Sequence, residues 1–296
     1  MATVRLRAHA KINLYLRVLG AREDGYHEIE TILHSIDFAD YLELRSEIEG
    51  FKLVVRQDDD VVGTPRPPSK NLVQQAAELL QSYAPKNLDV EIGLAKRIPV
   101  GAGLGGGSAD AAATLIGLAR LHELALEEPQ LHDLAAQLGA DVPFFLFGGT
   151  ALATGYGERI APLDQPPRLW FVLGMSRRPL LTEDVYRAWD EIGPRAGIAH
   201  EVMVEALRSG ALEEIGAAMR NDLEQVAIRL RPELRAAVDL MESAGAVRAL
   251  VSGSGPTVIG LCKGPDHARS VGAAVRSDFD RTQVTCSQAR ALEVLD

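Results

Sequence analysis

The stretch Pro99-Val100-Gly101-Ala102-Gly103-Leu104-Gly105-Gly106-Gly107-Ser108 constrains this chain more than any other. Five of its ten residues are glycine, and it runs without a break into Ala109-Asp110-Ala111-Ala112-Ala113-Thr114-Leu115, a strong helix former. Glycine lets a backbone take left-handed angles and come close to a ligand. The helix that follows supplies unpaired N–H groups and the positive end of its dipole. Loop and helix together predict an anion cradle, of the kind that holds the phosphates of a nucleotide. A plain linker would be Gly/Ser-rich and would not open an apolar helix.

Two common phosphate loops are excluded. A P-loop needs Lys and Ser/Thr after its last glycine, and here Gly107 is followed by Ser108 and Ala109. Gly101, Gly103 and Gly106 match the dinucleotide fingerprint G-x-G-x-x-G, and Glu123 falls near the place of the ribose carboxylate. That fingerprint must follow a buried strand directly. The strand-like residues 88–94 are instead separated from the loop by Lys96, Arg97 and Pro99, and Glu123 reads as a helix end.

The rest of the chain reads as mixed α+β, without regular βαβ alternation or repeats. Period-2 alternation predicts strands over residues 3–9, 12–18, 27–37, 41–45 and 51–57, with a turn at Asp24-Gly25. A Pro-rich loop (64–69) leads to a helix over 71–83, then the strand, the glycine loop and a buried helix to Leu121. A helix over 127–138 ends at Gly139, and 142–147 and 150–154 read as a pair of strands around Gly148-Gly149. Gln165-Pro166-Pro167 marks a boundary between domains 1–164 and 165–296. Beyond it, strands are expected at 169–173, 247–251, 257–262 and 282–286, and helices at 182–189, 200–207, 232–243 and 266–275.

A net charge of −10 over 296 residues argues against a nucleic-acid-binding surface, which is normally basic. Two cysteines, Cys262 and Cys286, fit a reducing cytoplasm and no disulfide framework. Residues 1–19 alternate polar with apolar and read as neither a secretory leader nor a membrane span. The seven histidines show no ligand spacing, and Asp58-Asp59-Asp60 reads as a solvated loop before a metal site.

Four groups could carry chemistry. Lys11 and Asn13 share one face of a strand, about 6–7 Å apart, either as a solvated polar edge or as a hold on a phosphate or hydroxyl. Asp141 lies between a helix-ending Gly139 and apolar Phe144, Phe145 and Phe147, with Pro143 favouring an extended Val142. It is either a base or metal ligand or a turn residue bonding its own backbone. Ser252-Gly253-Ser254-Gly255-Pro256-Thr257 is a second glycine-rich loop, either an anion site or a hairpin connection. Asp110 favours the helix dipole yet would repel a nearby phosphate, so it either faces away or helps hold Mg²⁺.

The Pro-x-Gly-x-Gly-Leu-Gly-Gly-Gly-Ser loop, the lysine strand and the late Gly-Ser-Gly-Pro loop resemble the GHMP kinases. Ala10-Lys11-Ile12-Asn13-Leu14, Asp24-Gly25-Tyr26-His27-Glu28, Gly105 to Ala112 and Gly139-Ala140-Asp141-Val142-Pro143 narrow the resemblance to the branch acting on a cytidine-diphosphate sugar alcohol. The resemblance implies two α+β domains, an N-terminal ribosomal-protein-S5-like one and a C-terminal ferredoxin-like α/β one, with the active site between them. It implies ATP-dependent, Mg²⁺-assisted phosphorylation of a tertiary 2-hydroxyl in non-mevalonate isoprenoid precursor synthesis. It implies Asp141 as general base and Lys11 as its cationic partner. The triphosphate would lie over Pro99, Val100, Gly101, Ala102, Gly103, Leu104, Gly105, Gly106, Gly107, Ser108 and Ala109, with Asn71 and Lys96 near the adenosine. Asn13, Tyr26, His27, Thr182 and Tyr186 would line the cytidine side. The family often has a second serine where this chain has Ala109. A cytoplasmic monomer or weak homodimer is expected, with no nucleic-acid or membrane partner. The rival readings are a mevalonate or homoserine type of GHMP kinase, and a non-catalytic nucleotide-binding protein on the same scaffold.

Overall fold

Two 19-residue strands, β1 (Thr3–Ala21) and β2 (His27–Arg45), pair antiparallel along nearly their whole length and carry the architecture. They belong to a computed structural model that describes residues 2–46, 48–57, 71–194 and 196–295. The Asp58-Asp59-Asp60 run and the Pro-rich loop lie outside the described residues. Sequence alternation splits each long strand in two. The structure keeps each continuous and breaks the alternation at register shifts between His9 and Ala10, Asn13 and Tyr15, and Val18 and Gly20. Between Ala8 and Leu16 both faces of β1 are buried, because the second half of the chain packs on the side left open by the first.

The first half is a sheet with helices on one face. Among the described residues the strand order is β12-β1-β2-β4-β3, with β5 and β6 continuing from β2. These are β3 (Phe51–Gln57), β4 (Val90–Lys96), β5 (Thr150–Thr154), β6 (Arg159–Pro162) and β12 (Leu292–Leu295). Helix α1 (Leu72–Tyr83) is capped by Asn71, whose Oδ1 accepts the Val73 amide at 2.9 Å, worth about 1 kcal/mol. Helix α2 (Gly106–Leu121) is apolar nearly all round and buried, as its sequence predicts. Helices α3 (Glu128–Leu138) and α4 (Val142–Phe147) complete the layer.

Helix α4 corrects the sequence reading, which makes 142–147 a strand. A short apolar run does not separate a strand from a buried helix by period alone. Pro143 sits in the first turn, where its missing N–H costs nothing, and Val142 is helical, not extended.

The second half holds a four-stranded antiparallel sheet in the order β11-β7-β10-β9, from β7 (Trp170–Met175), β9 (Arg248–Val251), β10 (Val258–Cys262) and β11 (Arg281–Cys286). In chain order that is 4-1-3-2, the ferredoxin-like arrangement the resemblance implies. Helices α5 (Thr182–Asp190), α8 (Glu224–Leu230), α9 (Glu233–Ser243) and α10 (Pro265–Val275) contribute to a core on one face of this sheet. The core on the other face, with α6 (His200–Ser209) and α7 (Leu212–Ala218), also takes in Ile12, Leu14, Ile32 and Ile36 of the long strands. Sequence reading misses α7, α8, β6, β12 and the two-residue β8 (Arg220–Asn221). Both β8 and β12 return to pair with β1, so the two halves share a sheet.

Candidate active site

A cleft of about 740 Å³ opens between the two halves. The glycine loop forms one wall. Gly101, Gly103 and Gly105 all have φ near +70°, the left-handed region. Gly103 has no room for a side chain, because a Cβ there would meet the Ser252 carbonyl oxygen. A Cβ at Gly105 would come within 2.7 Å of Phe145 Cζ and 2.9 Å of Lys11 Cγ. The loop thus lies flat against β1, and the Lys11 amide donates to the Leu104 carbonyl at 3.0 Å. Gly105 is the N-cap of α2 and offers no side chain to its first turn. Helical geometry leaves the amides of Gly106, Gly107 and Ser108 without intrahelical acceptors, and these residues line the cleft. The positive end of the α2 dipole adds to them.

Lys11 and Asn13 are buried in that cleft wall, which rules out the solvated polar edge. Lys11 Nζ donates to Asn13 Oδ1 at 2.9 Å and lies 3.3 Å from Asp141 Oδ2. Asn13 Nδ2 donates to Thr31 Oγ1 at 2.9 Å, and that hydroxyl donates to the Tyr15 carbonyl at 2.7 Å. Asp141 is the N-cap of α4 and makes no side-chain cap bond, so its half-exposed carboxylate is free for the cleft. The turn-residue alternative therefore loses. An ammonium and a carboxylate are held together beside a row of bare amides.

The aromatic residues form the far wall. At Asp24-Gly25 the Asp24 carboxylate accepts the Tyr26 amide at 3.1 Å, which places Tyr26 and His27 at the start of β2. His27 stacks on Tyr186 with 4.7 Å between ring centroids, meets Trp189 edge-on at 5.5 Å, and hydrogen-bonds Asp190 at 2.7 Å. Burial, with the Asp141 carboxylate nearby, pushes the Tyr186 phenol above its ordinary range. Thr182 and Ser254 share a hydroxyl–hydroxyl bond of 3.0 Å.

Of the residues singled out from sequence, the cleft gathers Lys11, Asn13, Tyr26, His27, Asn71, Lys96, Asp141, Thr182, Tyr186 and the glycine loop. Leu104 and Ala109 are the exceptions, since both side chains pack in the core. Two residues are engaged in ways the sequence did not suggest. Asn71 spends its oxygen on the α1 cap. Lys96 is buried between two carboxylates: its Nζ donates to Asp40 Oδ2, and to Asp110 Oδ2 at 2.6 Å. Burial alone would push the Lys96 ammonium down, but Asp110 and Asp40 outweigh it and hold it above the ordinary range. Burial pushes the Asp110 carboxyl up, against the pull of Lys96. Asp110 is thus neither turned away nor free beside a phosphate; its Oδ2 is held by Lys96.

Sequence reasoning missed Tyr156, Asp190 and Asp40. Tyr156 stacks against Tyr26 at 4.9 Å from the turn after β5. Its only sequence signal is the flanking pair Gly155 and Gly157. Asp40 accepts the Ile98 amide at 2.8 Å and the Arg97 amide besides Lys96, fixing the entry to the glycine loop from a strand far away in sequence.

Residues 71–149 match the family model for the GHMP kinases N terminal domain, and residues 203–281 that for the GHMP kinases C terminal domain. A 4-diphosphocytidyl-2-C-methyl-D-erythritol kinase from Pelotomaculum thermopropionicum is 44% identical over 281 residues, covering 94% of this chain and 96% of that protein. One from Nocardioides sp. is 42% identical over 274 residues, covering 90% and 91%. A crystal structure of 4-(cytidine 5'-diphospho)-2C-methyl-D-erythritol kinase superposes with a TM-score of 0.82 at 38% identity, covering 96% of this chain and 99% of the other. Homoserine kinase from Cytophaga hutchinsonii, at 21% identity and a TM-score of 0.77, shares the fold. The glycine cradle, the Lys11–Asp141 pair and the two-domain topology therefore sit in a chain that belongs to the GHMP kinases and, among them, to the family of the 4-diphosphocytidyl-2-C-methyl-D-erythritol kinases.

Proposed function

We propose that this protein is an ATP-dependent kinase that phosphorylates the 2-hydroxyl of 4-diphosphocytidyl-2-C-methyl-D-erythritol, in non-mevalonate isoprenoid precursor synthesis. The observation that carries the reading is the 3.3 Å approach of Lys11 Nζ to Asp141 Oδ2 between the amide-lined helix end and the aromatic wall. The triphosphate lies along residues 99–109, with the adenosine toward Asn71, Leu72 and Leu94. The cytidine lies against Tyr26, His27 and Tyr186, where aromatic faces suit a base. Thr182 and Asn13 face the sugar alcohol.

Asp141 takes the proton of the tertiary hydroxyl as its oxygen attacks the γ-phosphorus. The bond from that phosphorus to the β–γ bridging oxygen breaks, and ADP leaves. Charge spreads over the equatorial oxygens of a loose transition state. The amides of Gly106, Gly107 and Ser108, with Lys11, stabilise it. Among the described residues no group of three His, Cys, Asp or Glu side chains assembles a metal site. Magnesium would come with ATP, taking much of its shell from phosphate oxygens and water, and would supply charge neutralisation at the phosphates. A tertiary alcohol is crowded, so holding it in line matters as much as deprotonating it. General-base action accounts for about 10²–10⁴ in rate.

The two free cysteines suit a reducing cytoplasm, and among the described residues no helix is long and apolar enough to cross a membrane. We further place the domain division near residues 164–165, with the enzyme acting as a monomer or weak homodimer.

ADP release with Mg-ATP and each of three alcohols tests the reading: the cytidine-diphosphate sugar alcohol, mevalonate and homoserine. Turnover with the first alone is expected. Preference for either of the others moves the chain to another GHMP specificity, and no turnover with any makes it a nucleotide-binding scaffold.

A further inference from the structure

We infer that Asn221, in the second half of the chain, is a positioning residue for the Lys11–Asp141 pair; its reading rests on the activity proposed above. Asn221 lies in β8, opposite Leu16 of β1, and its side chain is buried. Its Nδ2 donates to two carbonyls, those of Val251 and Gly253, both at 2.7 Å, and its Oδ1 accepts the Leu223 amide at 3.0 Å. Both amide donors are spent on one object, the start of the loop at residues 251–255. The helix-side carboxylate of Glu224 adds a third hold, accepting the Val251 amide at 2.9 Å.

That loop is pressed against the catalytic strand. The Ser252 hydroxyl accepts the Asn13 amide at 3.4 Å and donates to the Gly103 carbonyl at 3.3 Å. A Cβ placed on Gly253 would stand 3.0 Å from Asn13 Oδ1 and 3.8 Å from Lys11 Nζ. Asn13 Oδ1 is the atom that holds the Lys11 ammonium. The height of the loop over β1 therefore sets where Lys11 points, and Asn221 sets the height of the loop. Asn221 touches neither Lys11 nor Asp141; it acts through Gly253 and Asn13.

Asn221→Asp tests this, because it keeps the shape and the acceptor, removes both donors and turns a carboxylate toward two carbonyls. Three readouts are taken on the full chain. The first is kcat and KM, with kcat normalised to the sites that bind ADP. The second is amide exchange at residues 251–255 and at Lys11, whose N–H bonds Leu104. The third is the melting temperature. A displacement on the order of 1 Å costs up to about a hundredfold in rate. The expected result is a kcat per binding site lower by about ten- to hundredfold, with KM for ATP changed by less than about threefold and faster exchange at both segments. A merely structural role would lower the melting temperature and leave kcat per site alone. Should Asn221→Asp fail to fold, Ser252→Ala removes only the hydroxyl that joins loop to strand, and the same loss in kcat per site is expected. A folded variant with kcat per site within about twofold of the unaltered protein and unchanged exchange at Lys11 overturns the inference. If the unaltered protein does not turn over the sugar alcohol, the proposed activity fails, and the exchange result alone decides the role of Asn221.

Discussion

Replacing Lys96 by methionine removes one ammonium and keeps an unbranched apolar side chain in its place. Three buried titratable groups meet there: Asp40 and Asp110, almost wholly inaccessible, and the Lys96 Nζ between them. Asp40 Oδ1 keeps its bonds from the amides of Arg97 and Ile98. Asp110 keeps little, since its Oδ1 has no partner and its Oδ2 is held by Lys96. Deleting one member of a buried pair costs about 3–5 kcal/mol. Burial already holds the Asp110 carboxyl up at about 8 beside Lys96, so near pH 7 Asp110 carries its proton in both proteins, and the loss falls on Asp40, whose Oδ2 is left without its cation. The sign follows: a carboxyl raised in the folded state contributes stability at low pH and loses it as pH rises. The deficit should therefore be about 3–5 kcal/mol near pH 7, change little between pH 5 and 7 where Asp110 is protonated in both proteins, and grow as pH rises past about 8, where Asp110 ionises only beside Lys96. Urea denaturation of both proteins at pH 5, 6, 7 and 8 measures it. A loss below about 1 kcal/mol, together with a large fall in ATP affinity, would refute this reading of Lys96. The ammonium would then serve the nucleotide, as the family resemblance alone implies, and not the seam between β2, β4 and α2.

Asp141→Asn should leave ADP binding intact and lower kcat by at least about two orders of magnitude, read by ADP release in a coupled assay. Tyr26→Ala removes an exposed aromatic face that is braced by Tyr156 at 4.9 Å, and should raise KM for the cytidine substrate far more than KM for ATP; equal effects on both would take Tyr26 out of the cytidine wall. His34 is buried between Thr150 and Ser287 hydroxyls, and burial holds its imidazole down at about 4. The unfolded chain takes up that proton from about pH 6.5 downward while the folded chain does not, so stability falls by about 3 kcal/mol between pH 6.5 and 4. His34→Gln should remove that part of the slope in denaturation curves taken across the window.

Local patterns disclosed the cradle because each of its parts is a local signal. Glycines at left-handed positions, a helix start and a strand lysine are all short-range features, and Gly101, Gly103, Gly105 and Lys11 stand where those signals put them. The long strands were harder. Bulges near Ala10 and Tyr15 break the period of two, and burial of both faces erases the alternation that marks a half-exposed strand. The segment 142–147 reads as a strand yet folds as a helix, because a run of buried apolar residues carries no period. What sequence could not supply was pairing at a distance. Nothing near Lys96 in sequence announces Asp40, which lies 56 residues away, and nothing near Asn13 announces Ser252, which lies 239 residues away. In sequence the Lys96 ammonium reads as available to a nucleotide; in the fold Asp40 and Asp110 flank it.

One geometric claim is central: the 2-hydroxyl of the acceptor meets Asp141 while the γ-phosphate rests on the amides that open α2. A crystal complex with a non-hydrolysable ATP analogue and the cytidine-diphosphate sugar alcohol measures it directly. Phosphate oxygens are expected at hydrogen-bond distance from the Gly106, Gly107 and Ser108 amides, and the hydroxyl oxygen about 2.6–3.2 Å from the Asp141 carboxylate. Phosphates bound away from that helix end, or an acceptor hydroxyl beyond the reach of both Asp141 and Lys11, would contradict it.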